Sequence, residues 1–540
     1  MAQAVKVRTG GRLVAETLEA LGAEVAFGVP GIHALAIWDG LRGSPIRTLG
    51  FRTELNAGFA ADGYARTAGR PAVLLLSTGP GALISLGALM EAASSHVPVV
   101  AVASQIPREL IGAGRGYLHE LPDQLASFAP VVKWARRAES DREVPEVLAE
   151  AWQAALTPPS GPVFVEIPVD ILTGETSVPA PERHDGTPVA STIASPAALE
   201  EAAAQLNAAA RPVVWAGGGV LRSQAWDQLV ELANRLDAPV VTTYMGKGAY
   251  PADDRLFAGS AADEAALQEL LADADVVVAV GTELGAETTG QYGLELTGTL
   301  IHIDAAPRRF GRTYPALAVP GDAGWALGEL LGRLEPRRRD GAARAQRVRE
   351  RIEAGLDEQD RALERALLET IRAAVPREAI TTWDMTILAY WAAAHFPALA
   401  PRTFHYPLGS GTLGYAWPAA LGASLATPGR PTLAVVGDGG FLYGIQELAT
   451  ARQYGLRTVV LVVDDGGYGI LREYQRDSFG ETTSVDLHQP DFVAVAEAFG
   501  VHAERTDPDG LGAALERAYA HEGPALVHLP TCLRMWTPTE

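Results

Sequence analysis

The sequence predicts an α/β protein of three doubly wound parallel-sheet domains, and three observations carry that prediction. Up to about Leu172, β-branched runs alternate with apolar patterns at helical spacing, joined by glycine-containing turns. The same alternation resumes over 196–335. Finally, the stretch from Val435 to Tyr474 belongs to a strand–helix–strand unit whose two strands each run into an acidic, glycine-rich turn. Such turns share the sheet edge where open α/β sheets bind ligands. The expected domains cover 1–178, 196–335 and 360–540.

Composition narrows the function classes. A chain of 540 residues with 48% apolar content can bury several cores. Its formal net charge of −21, with Lys and Arg scattered, argues against a nucleic-acid surface. Cys532 is the single cysteine, which excludes a disulfide framework and a thiolate metal site and fits a reducing compartment. The opening residues lack a continuous apolar leader, and no uninterrupted run of about 18 apolar residues occurs, so the expected location is cytoplasmic with no membrane partner.

Taken in order, residues 11–22 have helical spacing, Val25–Phe27 reads as a strand, and the turn Gly28-Val29-Pro30-Gly31 leads into a helical pattern containing His33. Arg47–Phe51 reads as a strand running into Glu54 and a helix. Strand Ala72–Ser77, the turn Thr78-Gly79-Pro80-Gly81, a helix to about Ala93 and strand Val97–Val102 repeat the logic. Residues 178–195, rich in Pro, Ala and Ser, read as a linker. The second domain offers strands Val213–Ala216, Val240–Tyr244, Val276–Val280 and Leu300–Ile303. The arginine-dense stretch 336–351 reads as a solvated connecting helix. The third domain opens with helix Arg361–Ala373 and strand Ala379–Thr382, followed by Asp384, Met385 and Thr386.

Asp438 and Asp465 end the two strands of the organising unit, an apolar-periodic segment between them stops at Gly455, and glycines 439, 440, 466, 467 and 469 let backbone groups approach closely. Hard oxygen ligands beside exposed backbone N–H groups suit magnesium with a diphosphate. A glutamate at the first turn of a helix, Glu54, is by itself explained by the helix dipole. A triple glycine, 217–219, between strand and helix is not a full dinucleotide fingerprint.

The segments VVGDGGFLYGIQELATARQYGLRTVVLVVDDGGYGILREY, FRTELNAGFAADGYAR and STGPG together resemble the thiamine-diphosphate enzymes of the acetolactate synthase and 2-oxo acid decarboxylase superfamily. The resemblance covers nearly the whole chain and implies, in order, a pyrimidine-binding domain, a central Rossmann-like domain and a diphosphate-binding domain. It implies thiamine diphosphate and Mg2+ as cofactors, with Asp438, Asp465 and the Gly467 carbonyl as metal ligands. It implies that Glu54 shares a proton with the cofactor's aminopyrimidine, which requires a desolvated carboxyl. Thr78, Gly79, Pro80, Gly81, Asp384, Gly411, Gly439, Gly440, Tyr468, Gly469 and Ile470 are the further cofactor contacts it implies, with Leu413, in PLGSGTLGYAWPAALGASLA, as the wedge between the cofactor rings.

By the same resemblance His33, Gln105 and His119 face the catalytic cavity, although a structural histidine explains His33 equally well. Ile470, Leu471 and Tyr474 share a helical face at the acceptor pocket. One departure stands out: Asp464-Asp465 occupies the place of the family's usual Asn-Asn and adds negative charge beside the diphosphate. TTYMGKGAYP and IHIDAAP resemble segments that hold FAD in acetolactate synthases, while many relatives bind no flavin, so FAD stays open.

The implied reaction is addition to the carbonyl of a 2-oxo acid and loss of CO2, ending in an aldehyde or in ligation to a second carbonyl. Segments such as TTWDMTILAY and GSGTLGYAWPA look most like the 5-guanidino-2-oxopentanoate decarboxylase branch, for which Glu120 or Glu473 could meet a cationic substrate tail. The resemblance implies a homodimer or homotetramer with active sites at subunit interfaces. A catalytically weak relative serving as a binding or regulatory subunit is the alternative. A flavin or nicotinamide oxidoreductase is disfavoured by the incomplete fingerprint.

Overall fold

The computed structural model describes residues 8–183, 193–260 and 263–539. Three six-stranded sheets, all parallel, carry the chain. The first contains β1 (Val25–Gly28), β2 (Arg47–Gly50), β3 (Ala72–Leu76), β4 (Val99–Gln105), β5 (Trp134–Arg137) and β6 (Val163–Pro168), in the order β2-β1-β3-β4-β6-β5. The second contains β7 (Pro212–Ala216), β8 (Val240–Thr242), β9 (Phe257–Gly259), β10 (Val276–Val280), β11 (Thr299–Asp304) and β12 (Leu317–Pro320), in the order β12-β11-β10-β7-β8-β9. The third contains β13 (Ile380–Trp383), β14 (Phe404–His405), β15 (Thr432–Gly437), β16 (Val459–Asp464), β17 (His502–Arg505) and β18 (Ala525–Pro530), in the order β14-β13-β15-β16-β18-β17.

Central strands such as β3, β4 and β10 are buried along their whole length, as expected of Val-, Leu- and Ala-rich runs covered by helices on both faces. Helices start where side chains can satisfy the free N–H groups: Thr53 caps Glu54–Ala68 and Ser195 caps Pro196–Ala208. Gly455, in the left-handed region at φ +63°, ends helix Glu447–Tyr454.

Several elements differ from expectation. The helix after Gly79 is two, Pro80–Ile84 and Leu86–Ser94, and the segment between Asp438 and Gly455 likewise splits into Asp438–Phe441 and Glu447–Tyr454. Strand β4 starts after Pro98 and runs on to Gln105, where it still pairs with β6. Strand β8 stops at Thr242 because Tyr244–Gly246 coils into a 3-10 turn. The arginine-dense connecting stretch is helical from Gly341 to Asp357. Most of the expected linker, residues 184–192, lies outside the described residues.

The chain divides into two compact units, Met1–Val189 with Pro407–Pro428 and Gly444–Leu456, and Ala190–Tyr406 with Gly429–Tyr443 and Arg457–Glu540. Two segments of the expected third domain thus cluster with the first sheet. In that first unit helix Ala416–Ala426 lies against helix Glu54–Ala68 with no room for side chains at the crossing. A Cβ on Gly63 would stand 2.1 Å from the Ala419 carbonyl oxygen, and one on Gly422 only 1.8 Å from that of Ala60. Among the described residues no helix is long and apolar enough to cross a membrane.

Candidate active site

In the first unit the site is built around Glu54, the first residue of helix Glu54–Ala68. The Thr53 hydroxyl accepts the Asn56 N–H (3.2 Å), and the buried Glu447 carboxylate accepts Arg52 N–H (3.1 Å) and the Asn56 side-chain amide (3.2 Å). The residues flanking Glu54 are therefore held in place. Burial pushes the Glu54 carboxyl above the ordinary carboxylate range, although a backbone hydrogen bond pulls the other way.

The turns around Glu54 are closely spaced. A Cβ on Gly81 would stand 2.9 Å from Glu54 Oε1, one on Gly31 2.3 Å from Ser77 Oγ, and one on Gly79, where φ is +65°, 2.7 Å from the His119 carbonyl oxygen. His33 and His119 meet edge to face with ring centroids 5.2 Å apart, and Tyr117 stacks on His33 at 5.9 Å. Among the described residues, Nδ1 of both histidines and the Ser77 hydroxyl are buried without hydrogen-bond partners. Burial, reinforced by His119, lowers the His33 pKa, so its imidazole is neutral near pH 7.

Gln105, expected among the catalytic groups, is hydrogen-bonded within the first unit. Its amide nitrogen donates to Glu166 Oε2 (3.1 Å) and its oxygen accepts Ile106 N–H (2.8 Å). The same Glu166 oxygen accepts from Gln124 (2.9 Å), and Gln124 Oε1 accepts the Gly79 N–H (2.7 Å). Thr78 and Ser104 share a hydroxyl bond (2.9 Å). Gln105 therefore helps to hold the Thr78–Gly81 turn.

The segment bearing Gly411 (φ +68°) and the half-buried Leu413 is held by a second network. Buried Glu91 accepts Ser410 N–H (2.7 Å) and its hydroxyl (2.8 Å) and pairs with Arg66 (2.8 Å); Arg66 pairs with Asp62 (2.6 Å), which accepts the Tyr415 hydroxyl (2.7 Å). Glu91, Asp62, Ser77, Gln124, Glu166 and Glu447 escaped sequence reasoning, because nothing in their spacing sets them apart from surface side chains.

In the second unit Asp438 and Asp465 leave adjacent parallel strands, β15 and β16. Asp438 Oδ2 and Asp465 Oδ1 are buried without hydrogen-bond partners among the described residues. Burial, then the charges of Asp465 and Asp464, pushes the Asp438 carboxyl up to about 7. Burial, then Asp464 against the opposing Arg472, pushes Asp465 up to about 6. Two buried carboxylate oxygens without hydrogen bonds, one of them 3.9 Å from Arg472 Nη1, fit a hard divalent cation. No group of three His, Cys, Asp or Glu side chains that could hold a metal occurs among the described residues. The cation's other ligands would be the Gly467 carbonyl and diphosphate oxygens, the donor set that suits Mg2+.

The first aspartate of the Asp464-Asp465 pair has a separate task. Asp464 Oδ1 accepts the Gly466 N–H (3.0 Å), and its Oδ2 lies 2.9 Å from His528 Nε2 on β18. Asp384 and Thr386 back the first turn: a Cβ on Gly440 would stand 3.2 Å from the Asp384 carboxyl carbon, and one on Gly437 3.1 Å from Thr386 Oγ1. Gly439 leaves room for the Tyr468 ring, 2.7 Å from where its Cβ would be. Along helix Gly469–Phe479 Ile470 is buried while Leu471 and Tyr474 are 45% and 50% exposed.

The triple glycine 217–219 and the IHIDAAP segment make contacts within the second sheet's domain. A Cβ on Gly217 would stand 2.3 Å from the Gly281 carbonyl oxygen and one on Gly219 2.5 Å from Gly281 Cα, so close backbone packing accounts for these glycines. Asp304 accepts Ala306 N–H (2.7 Å) and pairs with Arg309 (3.1 Å).

Three family models match in the expected order: the N-terminal TPP binding domain of thiamine pyrophosphate enzymes over residues 8–127, their central domain over 199–330 and their C-terminal TPP binding domain over 384–529. The chain belongs to the thiamine pyrophosphate enzymes. Within that family it is 38% identical, over 98% of its length and 95% of the relative's, to the Pseudomonas aeruginosa protein named "Probable 2-ketoarginine decarboxylase AruI". It is 32% identical, over 96% of its length and 91% of the relative's, to "Probable acetolactate synthase large subunit" of Methanocaldococcus jannaschii. To "Acetolactate synthase isozyme 2 large subunit" of Escherichia coli it is 30% identical, over 96% and 95%. This thiamine pyrophosphate enzyme carries a desolvated carboxyl in one unit and an acidic, glycine-lined turn pair in the other.

Proposed function

We propose that this thiamine pyrophosphate enzyme decarboxylates a 2-oxo acid with a cationic side chain, of the 5-guanidino-2-oxopentanoate class, using Mg2+ beside thiamine diphosphate. The observation that carries the reading is the similarity, over 98% of the chain, to a protein named for 2-ketoarginine decarboxylation. The buried oxygens of Asp438 and Asp465, neither of which has a hydrogen bond among the described residues, support the metal requirement.

Bound thiamine diphosphate supplies a nucleophilic carbon and an electron sink for the bond that breaks as CO2 leaves. Asp438, Asp465 and the Gly467 carbonyl hold Mg2+, and the glycines at 439, 440 and 469, with Asp384 and Tyr468 behind them, let the diphosphate approach backbone N–H groups. Glu54, its carboxyl raised by burial, holds a proton on a carboxyl oxygen that it shares with the aminopyrimidine. Thr78, Gly79, Pro80 and Gly81 line that end, with Gly411 and Leu413 fixing the shape of the cofactor. His33 and His119 move protons at their unpaired Nδ1 atoms as product forms. Leu471 and Tyr474 bound the substrate pocket.

The domains run over 1–178, 196–335 and 360–540, and the working form is a cytoplasmic homodimer or homotetramer with active sites at subunit interfaces. FAD is not part of this reading. Likeness to acetolactate synthases favours a second outcome, ligation to another carbonyl. Nothing in the site favours a purely regulatory subunit.

Steady-state CO2 release from 5-guanidino-2-oxopentanoate, pyruvate and benzoylformate, with thiamine diphosphate and Mg2+ present, tests the proposal. The cationic acid is expected to have the highest kcat/KM and to yield the aldehyde. Turnover of pyruvate alone, with acetolactate as product, would replace this reading by the synthase one.

A further inference from the structure

The arginine-dense stretch 336–351 has no part in the decarboxylase reading, and its first residues lie outside the connecting helix. Residues 336–340 precede helix Gly341–Asp357 and run past the end of helix Trp226–Leu236. There they border an open cleft of about 750 Å³, lined by Arg255, Arg337, Arg338 and Arg339 together with Asp237 and Asp340. Asp237 and Arg255 stand just before the first residues of β8 and β9, so the cleft is at the amino ends of these strands. The Gly217–Gly219 turn follows the carboxyl end of β7, which is parallel to β8, and belongs to the opposite edge of the same sheet.

The walls of the cleft are fixed. Asp237 accepts from Arg255 Nη1 (3.0 Å) and from the Arg339 N–H (2.8 Å), while Asn234 Oδ1 accepts from Arg255 Nη2 (3.2 Å). The Arg337 N–H donates to the Arg235 carbonyl (2.9 Å). A Cβ on Gly341 would stand 2.0 Å from the Asp237 carbonyl oxygen, so the two backbones touch directly.

The charges in the cleft do not balance. Asp237 is already taken up by Arg255 and the Arg339 backbone, and Asp340 lies 3.3 Å from Arg347, on the helix. Arg339 donates to the neutral carbonyls of Ala209 (2.9 Å) and Leu236 (2.7 Å), which satisfy its N–H groups without cancelling its charge. Arg337 meets Glu335 at 2.8 Å in an exposed pair, a kind that contributes little. Arg338 is exposed and makes no hydrogen bond or ion pair among the described residues. Burial, then the Arg337 charge, lowers the Arg339 pKa, as expected where like charges crowd together. Helix Gly341–Asp357 adds to the effect. It starts with no side-chain cap and no acidic residue in its first turn, and Ala342 and Ala343 of that turn are on the cleft wall, at the positive end of the helix dipole.

We propose that this cleft binds a ligand carrying two or more phosphate groups. Guanidinium forks match phosphate oxygens in pairs, and the arginines come from two separate chain segments, which suits phosphates set apart from one another. No aromatic ring is among the described lining residues, so the phosphates, and not a stacked base, are what the cleft recognises. In a chain of net charge −21 this basic hollow gives such an anion a defined place to bind.

Calorimetry on the full chain, with thiamine diphosphate and Mg2+ present throughout, tests the proposal with inorganic phosphate, ADP and fructose 1,6-bisphosphate as probes. At least one of the two diphosphorylated probes should bind about tenfold or more tighter than inorganic phosphate, and its Kd should rise with added KCl. In the double variant Arg337→Ala, Arg338→Ala that Kd should rise about tenfold, while Tm and decarboxylation kinetics without probe stay at wild-type values. A preference for ADP would identify a nucleotide ligand and a preference for the bisphosphate a phosphorylated sugar; either supports the site. No binding of either probe, inorganic phosphate binding as tightly as both, or a Kd unmoved by the double variant would overturn it. None of these outcomes bears on the decarboxylase reading, which is tested by CO2 release.

Discussion

A Cβ placed on Gly469 would stand 1.7 Å from Oδ2 of Asp465, so the carboxylate keeps its position only because the first residue of helix Gly469–Phe479 is glycine. Gly469→Ala should therefore push the carboxylate aside while slightly favouring the helix. The expected result is a Kd for Mg2+ with thiamine diphosphate raised about tenfold or more by calorimetry, with the Tm of the free protein nearly unchanged. An unaltered Kd would mean that Asp465 holds no metal.

Glu54 combines a raised carboxyl with a rigid setting between Thr53, Asn56 and the Gly81 turn. Glu54→Gln keeps the shape and removes the shared proton, so kcat should fall by about 10²–10⁴-fold. Cofactor affinity should stay within about threefold of wild type. Full activity in the variant would remove Glu54 from the mechanism.

What the sequence shows plainly is what is local. A run such as Val276–Val280, or an aspartate and two glycines after a strand, carries its own periodicity and turn chemistry, so strands, turn residues and the aspartates at two strand ends can be named from residue order alone. The supports of the site are not local. Glu91 bonds Ser410 from 319 positions away, and Glu447 reaches Arg52 across 395. Each sits in a helix where a glutamate reads as an ordinary surface residue. Asp464 shows the same limit, since its departure from Asn becomes intelligible only when β18 brings His528 alongside.

The contact between Gly422 and the Ala60 carbonyl oxygen, 1.8 Å from a built Cβ, sets the spacing of helices Ala416–Ala426 and Glu54–Ala68. Gly422→Ala must part the helices, and overpacking of this kind costs about 1–3 kcal/mol. Urea unfolding should show that loss. Adding Gly63→Ala at the same crossing should cost less than the sum of the two single changes, because the helices have already separated. Independent, additive losses would mean that the two glycines do not share one contact.

Lys247 offers a test by pH. It is buried, its ammonium lies 5.2 Å from the centre of the Phe404 ring, and burial lowers its pKa to about 7. In the unfolded chain a lysine stays protonated to about pH 10.4. Between about pH 7 and 10 the unfolded state thus binds more protons than the folded one, and this side chain makes stability rise with pH, by at most about 1.4 kcal/mol per pH unit. Below pH 7 both states are protonated and the slope vanishes, leaving the full cost of a buried cation. Lys247→Met removes that cost, so the variant should be the more stable protein at pH 7 and should lack the wild type's gain between pH 7 and 9. Denaturant unfolding at both pH values measures the difference; parallel pH dependences in the two proteins would show that Lys247 keeps its charge in the fold and that the Phe404 face is enough to hold it.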